Sequence, residues 1–238
     1  MSKVQILPLG VGSGTTAILY GEASSSFAIM VNNECRLLVD LGFGVTRSAL
    51  HYLKTMPTNL YITHNHLDHS GELPVIWQIQ AKAGKKLSIW SALEVESKLK
   101  NYRLNETYQE GINYDELIDW HTANIAGFTI IDSELKIKIR KSQHSEPCYG
   151  FILFYMGKAI LSYSGDSGYD TAYFDWLGES PQVIIDARNN GSYDHASFDQ
   201  IIEFKKRHSS KIYIIHYGRL QDAPNNLEAL TPGAVIDL

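Results

Sequence analysis

The chain is short of cysteine and of basic charge, and it lacks any long apolar run. Each shortage closes off a class of protein. Two cysteines, Cys35 and Cys148, in 238 residues cannot staple a domain of this size, so a disulfide framework is excluded and a reducing, cytoplasmic setting is expected. Lys and Arg total 21 against 26 Asp and Glu, a net charge of −5, the wrong sign for a chain that lives on nucleic acid or an acidic membrane. The longest apolar run, Phe151 to Met156, falls far short of the ~20 residues of a membrane-spanning helix. Pro8 and Gly10 interrupt the N-terminal stretch before a signal-peptide core could form. G-x-x-x-x-G-K-[ST] and G-x-S-x-G are absent, and Gly10-x-Gly12-x-Gly14 has the wrong spacing for a dinucleotide loop.

What remains is ordinary globular composition, 44% hydrophobic and 20% charged, with no repeat or low-complexity tract to divide it. Residues 1–238 are therefore expected to form one domain. Short strands are predicted at Val4–Leu9, Thr16–Tyr20, Phe27–Val31 and Arg36–Val39, then a helix at Thr46–Lys54 with Leu50 and Leu53 as its buried stripe. A strand at Asn59–Ile62 and a helix near Glu72–Ala83 follow. The second half is built alike, with a strand at Leu135–Arg140, a hairpin of Tyr149–Tyr155 with Ala159–Tyr163, a strand at Val183–Asp186, a helix at Phe198–Arg207 and a strand at Lys211–Ile215. Strands passing into strand–helix alternation, twice over, imply two packed sheets with helices outside. That is an α/β, four-layer αββα sandwich. Asn101–Trp120, rich in tyrosine and carboxylates, departs from this pattern and reads as a surface excursion, or as a cap or dimer contact over the site.

The nine histidines are unevenly placed. His64-Asn65-His66-Leu67-Asp68-His69 sets three imidazoles and a carboxylate in six residues, directly after a predicted strand. Imidazole nitrogen and carboxylate oxygen on one short loop suit Zn²⁺, Mn²⁺ or Fe. Further donors stand at strand ends: His144 after Leu135–Arg140, Asp166 in the turn Ser164-Gly165-Asp166-Ser167-Gly168, and His216 after Lys211–Ile215. Together these seven residues fill a two-metal site. His51, His121 and His208 fall outside every motif, and Cys148 reads as a buried strand thiol.

These residues, in this order, resemble the metallo-β-lactamase-fold hydrolases over Leu9 to His216. Three features resemble the ribonuclease Z-like phosphodiesterase branch: Leu9-Gly10-Val11-Gly12-Ser13-Gly14, Ser164-Gly165-Asp166-Ser167, and Asp194-His195-Ala196-Ser197. The resemblance implies two divalent transition-metal ions, zinc before manganese or iron. His64, His66 and His144 would hold one, Asp68, His69 and His216 the other, with Asp166 bridging. It implies a phosphodiester cleaved by a metal-bridging hydroxide. His195 would be the proton donor to the leaving oxygen, with Asp186 as its carboxylate partner, and Asp68 would be needed for the second metal and for catalysis.

The branch's tRNA 3′-processing endoribonucleases clamp RNA with a basic arm, whereas Asn101–Trp120 is acidic and would repel phosphate. Lys136, Lys138 and Arg140, and Lys205, Lys206 and Arg207, read as solvated faces. A small phosphodiester such as a cyclic nucleotide is therefore the expected substrate. A lactone or other ester on the same metals, tRNA processing and a non-catalytic binding protein are the alternatives. No arginine clamp for a dianion is evident, so diesters are expected over monoesters. No membrane partner is expected, and the dimers found among relatives raise the prospect of a homodimer.

Overall fold

The alternation of apolar and polar residues resolves into two stacked sheets in a computed structural model of the protein, which describes residues 3–105 and 116–238. The first sheet begins as an antiparallel meander of β1 (Val4–Gly10), β2 (Ser26–Val31) and β3 (Glu34–Val39), and continues in parallel through β4 (Asn59–Tyr61), β5 (Leu87–Ser91) and β6 (Ile118–Thr122). Parallel neighbours need crossovers. The chain supplies them with α2 (Val45–Leu53), α3 (Leu67–Ser70), α4 (Leu73–Lys82) and α5 (Leu93–Tyr102), while α1 (Thr16–Tyr20) lies between β1 and β2.

The second sheet repeats the plan. An antiparallel run of β7 (Thr129–Ile130), β8 (Leu135–Lys141), β9 (Tyr149–Tyr155) and β10 (Lys158–Tyr163) passes into parallel β11 (Gln182–Arg188), β13 (Lys211–Ile215) and β14 (Glu228–Ala229). The short β12 (Ala196–Ser197) pairs with the end of β11. Helices α6 (Thr171–Leu177) and α7 (Phe198–Arg207) make the connections, and β15 (Ile236–Asp237) closes the first sheet beside β1. Both sheets are mixed, and the architecture is the expected four-layer αββα sandwich.

Aromatic rings join the sheets. Phe27 of β2 meets Tyr163 of β10 edge-on at 5.0 Å, and Tyr61 of β4 meets Phe151 of β9 at 5.1 Å. All four rings are fully buried, so the central core is the interface between the sheets. Tyr61 satisfies its hydroxyl by donating to the Tyr149 carbonyl at 2.9 Å, as a buried phenol must. At α7, Ser197 caps the first turn in a reciprocal capping box with Gln200. Lys205, Lys206 and Arg207 occupy the last turn, where cations suit the helix dipole, so this basic cluster is a solvated helix end.

Two expectations need correction. Thr16–Tyr20 is a helix and not a strand. Since β1 and β2 pair directly with each other, the sheet has no slot for it, and Gly21 in the left-handed region (φ 70°) ends the turn. In α2 the buried stripe is Val45, Thr46 and Ala49, while Leu50 is 45% exposed. Leu53 does pack against the core, four residues after Ala49, so the expectation fails at Leu50 alone. The expected cap or dimer contact falls mainly on residues 106–115, outside the described residues; α5 and β6 flank it. Among the described residues no helix is long and apolar enough to cross a membrane.

Candidate metal centre

The parallel halves of both sheets bring strand ends to one edge, where α/β folds commonly build their sites. Asp40 follows β3, Thr63 and His64 follow β4, Asp166 follows β10, Asp186 and Arg188 end β11, and His216 follows β13. His144 comes from the loop after β8. Asp40 and His216 hold φ of 60° and 63°. Side-chain-bearing residues rarely adopt that region, and such strain gathers at functional sites.

The loop HNHLDH reaches its shape because His66 is extended and α3 starts directly after it. The short helix buries Asp68 and His69 and leaves Leu67 exposed. The turn is seated against Gly42, where an added Cβ would collide with the Asp68 carbonyl oxygen. The neighbouring Leu41 N–H donates to the His69 carbonyl at 2.6 Å. Gly42→Ala must therefore push the loop outward. It is expected to cost about 1–3 kcal/mol of stability and to weaken metal uptake, measured by denaturant titration and metal analysis; a variant of unchanged stability and metal content would contradict this seat.

The seven expected ligands converge. His64, His66, His144 and Asp166 each offer a ligand atom within 4.8 Å of the others, and Asp68, His69 and His216 form a second such set. Asp166 lies between them: Oδ2 is 3.8 Å from His64 Nε2, and Oδ1 is 3.2 Å from His69 Nε2. In the first set His66 Nδ1 and His144 Nε2 stand 3.2 Å apart. In the second, His216 Nε2 stands 3.1 Å from Asp68 Oδ2, which also accepts from the Gly14 N–H at 2.6 Å. His195 and Asp186 approach Asp166 and His216 closely enough to make a third group, but they are paired with each other, His195 Nδ1 to Asp186 Oδ2 at 2.7 Å. Asp186 Oδ2 also accepts from the Ser167 N–H at 3.1 Å, and Oδ1 faces His216 Nδ1 at 3.1 Å.

Electrostatics reflect this crowding. Burial alone would raise Asp166 and Asp68, but the imidazoles of His216 and His69 outweigh it and hold both carboxyls well below the usual carboxylate range. Burial would lower His69 and His216, yet Asp166 and the other carboxylates beside them win. They hold His69 well above the usual imidazole range and bring His216 to about 9. His64 and His144 are instead pushed down, by burial first. The carboxylates thus gather positive charge around themselves, as a cation site does.

Divalent cations fit this donor set. His64 Nε2, His69 Nε2 and Asp166 Oδ1 are buried without a hydrogen-bond partner, a costly condition for polar atoms that coordination would relieve. The outward nitrogens are tied down as metal-binding imidazoles require. His69 Nδ1 meets Asp40 Oδ2 at 2.9 Å, His64 Nδ1 meets Thr63 Oγ1 at 3.0 Å, and His144 Nδ1 lies 3.3 Å from both the Asp194 carbonyl and its carboxylate.

The roles of four residues of this arrangement escape sequence reasoning, although Asp194 stands in a motif already singled out. Asp40 takes His69 together with the Thr63 N–H and hydroxyl, at 2.8 and 2.9 Å. Arg103 donates from Nε to Ser70 Oγ at 2.9 Å and from Nη2 to the Asn65 carbonyl, bracing the histidine loop. Asp194 accepts from the Ser145 N–H at 2.6 Å. Arg188 brings Nη2 to 3.2 Å from His216 Nδ1, an arginine beside the site that the sequence gives no sign of. Two basic residues of β8 are engaged elsewhere: Lys138 lies over Phe128, and Arg140 donates to the Ala172 carbonyl. His51 and His121 are exposed as expected, His208 pairs with Asp175, and both cysteines are free, with Cys148 buried.

Known proteins agree with this fold. The metallo-β-lactamase-fold protein YhfI from Bacillus subtilis superposes with a TM-score of 0.78 at 15% identity, covering 99% of both chains. A diphosphatase of the PhnP family gives 0.74 at 14% identity, over 100% of this chain and 98% of that one. The short form of human tRNase Z gives 0.73 at 16% identity, over 99% and 98%. The fold is thus the metallo-β-lactamase fold. No curated protein matches the sequence. The family described as anti-Pycsar protein Apyc1 matches residues 4–230, nearly the whole chain and every residue of the centre, and the chain belongs to that family.

Proposed function

We propose that this chain is a two-metal hydrolase that cleaves a phosphodiester bond in a small substrate such as a cyclic nucleotide, with residues 1–238 acting as one domain. The observation that carries the reading is the placing of Asp166 between two donor sets, with the His195–Asp186 pair beside them. His64, His66 and His144 would hold one ion, Asp68, His69 and His216 the other, and Asp166 both. Zinc fits these nitrogen and carboxylate donors best. Bound there, two divalent ions supply Lewis acidity, activation of water and neutralisation of the charge that builds on phosphoryl oxygens.

The protein's own groups then have distinct tasks. Asp40 and Thr63 orient the imidazoles of His69 and His64, which fixes which nitrogen of each ring faces inward. The Gly14 N–H holds Asp68. Asp186 binds His195 through Nδ1, so Nε2, across the ring, is the atom that carries a proton to the departing oxygen. Support for a phosphoester comes from the fold relatives described as a diphosphatase and a tRNase Z. The net charge of −5 favours a small substrate over folded RNA.

Zinc- or manganese-loaded protein is expected to hydrolyse bis-p-nitrophenyl phosphate with a higher kcat than p-nitrophenyl phosphate, a β-lactam or a panel of lactones. Precursor tRNA should bind weakly. Faster lactone opening, equal turnover of the monoester, or tight salt-sensitive tRNA binding would each overturn the substrate assignment.

A further inference from the structure

Arg188 is the last residue of β11, two positions beyond Asp186. Alternate strand residues share a face, so the strand that presents Asp186 to the centre presents Arg188 to it as well. The guanidinium is half-buried, its Nε is buried without a hydrogen-bond partner, and its Nη2 stands 3.2 Å from His216 Nδ1.

That nitrogen cannot serve both of its neighbours. Asp186 Oδ1, at 3.1 Å from the same Nδ1, can only accept, while Arg188 can only donate. Oδ2 of Asp186 already has His195 and the Ser167 N–H, whereas Oδ1 has only His216. At most one of these two contacts is a hydrogen bond, and Asp186 Oδ1 has no other donor, so His216 does not fill the donors of Arg188. Among the described residues it makes no ion pair, although other arginines close to a carboxylate have taken one, such as Arg36 with Asp132 and Arg219 with Asp222. A fixed cation with unfilled donors at the edge of this centre lacks one thing, an anion.

We propose that Arg188 forms an anion subsite beside the metal centre that binds phosphate dianions, and that it holds the monoester product of diester cleavage. The inference rests on the phosphodiesterase reading. In that reaction the oxygen of water bonds to phosphorus, one P–O bond breaks, one of the water's protons ends on the leaving oxygen and the other is released to solvent. A diester with one negative charge becomes a monoester that carries about two at neutral pH. The additional charge is what the arginine fork recognises. Binding the dianion in its ground state does not speed its hydrolysis, so monoesters and inorganic phosphate inhibit and turn over poorly.

Calorimetric titration of inorganic phosphate into zinc-loaded wild type, R188Q and R188K, with metal content measured on the same samples, tests this. R188Q is expected to weaken phosphate binding by about 10- to 100-fold at unchanged metal content, with R188K recovering part of the loss. The inhibition constant of phosphate against bis-p-nitrophenyl phosphate should rise by the same factor. Wild-type affinity in R188Q would overturn the subsite. So would loss of metal in R188Q, since Arg188 would then be a support for His216. A wild type that binds phosphate through Arg188 yet cleaves no diester would sink the phosphodiesterase reading and leave the subsite standing.

Discussion

His195→Ala is expected to retain its full metal content and to lose about 10²–10⁴-fold in turnover of diesters with alkoxide leaving groups. The seven donors of the two sets form without His195, and its Nδ1 is committed to Asp186 at 2.7 Å. On the proposed role, the substitution removes the proton that an alkoxide requires as it departs. p-Nitrophenolate leaves without one, so the loss should shrink sharply for bis-p-nitrophenyl phosphate. Asp186→Asn should reproduce part of the effect, because the imidazole would lose its carboxylate. Steady-state kinetics over a series of leaving groups, beside metal analysis, give the answer. Equal slowing of good and poor leaving groups, or loss of metal, would show that His195 is not the proton donor.

Asp68→Ala should act on the centre itself. Its Oδ2 is the point where the Gly14 N–H, at 2.6 Å, and His216 Nε2, at 3.1 Å, converge, with His69 Nε2 at 3.8 Å. Without that oxygen the second donor set is reduced to two imidazoles, too few to hold an ion by themselves. The expected result is loss of one ion per chain and about 10²–10³-fold or more in turnover, the scale for removing one charge-stabilising group from a transition state. Thermal melting and circular dichroism separate this from unfolding. A folded Asp68→Ala protein with wild-type metal content would remove Asp68 from the ligand set.

Much of the centre is legible in the sequence because its densest part is local. HNHLDH places four donors in six residues, and no surface turn needs that concentration of imidazole. His144, Asp166 and His216 are recognisable only as partners to that motif, each at a strand end and in an order the superfamily shares. His195 and Asp186 follow the same route, and the strand ends place them at 2.7 Å. Asp40 and Arg188 are different, as is the contact that Asp194, itself part of a recognisable motif, makes with His144. Each is a single polar residue beside a strand or in a loop, and its meaning comes only from neighbours up to 50 positions away. The φ of 60° at Asp40 leaves no trace in residue type.

The fold shows the same division. Phe198–Arg207 and Lys211–Ile215 carry clear period and capping, and they appear at those bounds. Thr16–Tyr20 is five residues with no polar alternation to separate a strand from a helix turn, so the direct pairing of β1 with β2 decides it. In α2 the inward face runs through Val45, Ala49 and Leu53, four residues apart, and Leu50 stands one residue, about 100°, beyond Ala49 and so points out.

Metal stoichiometry tests the central claim most directly. Purified protein would be stripped with chelator, saturated with zinc, freed of excess ion and measured by atomic emission against a protein concentration from amino-acid analysis. Two ions per folded chain is the expected result, falling to one in Asp68→Ala. A folded wild-type chain that holds at most one ion after saturation with zinc, and again with manganese, would contradict a two-metal hydrolase.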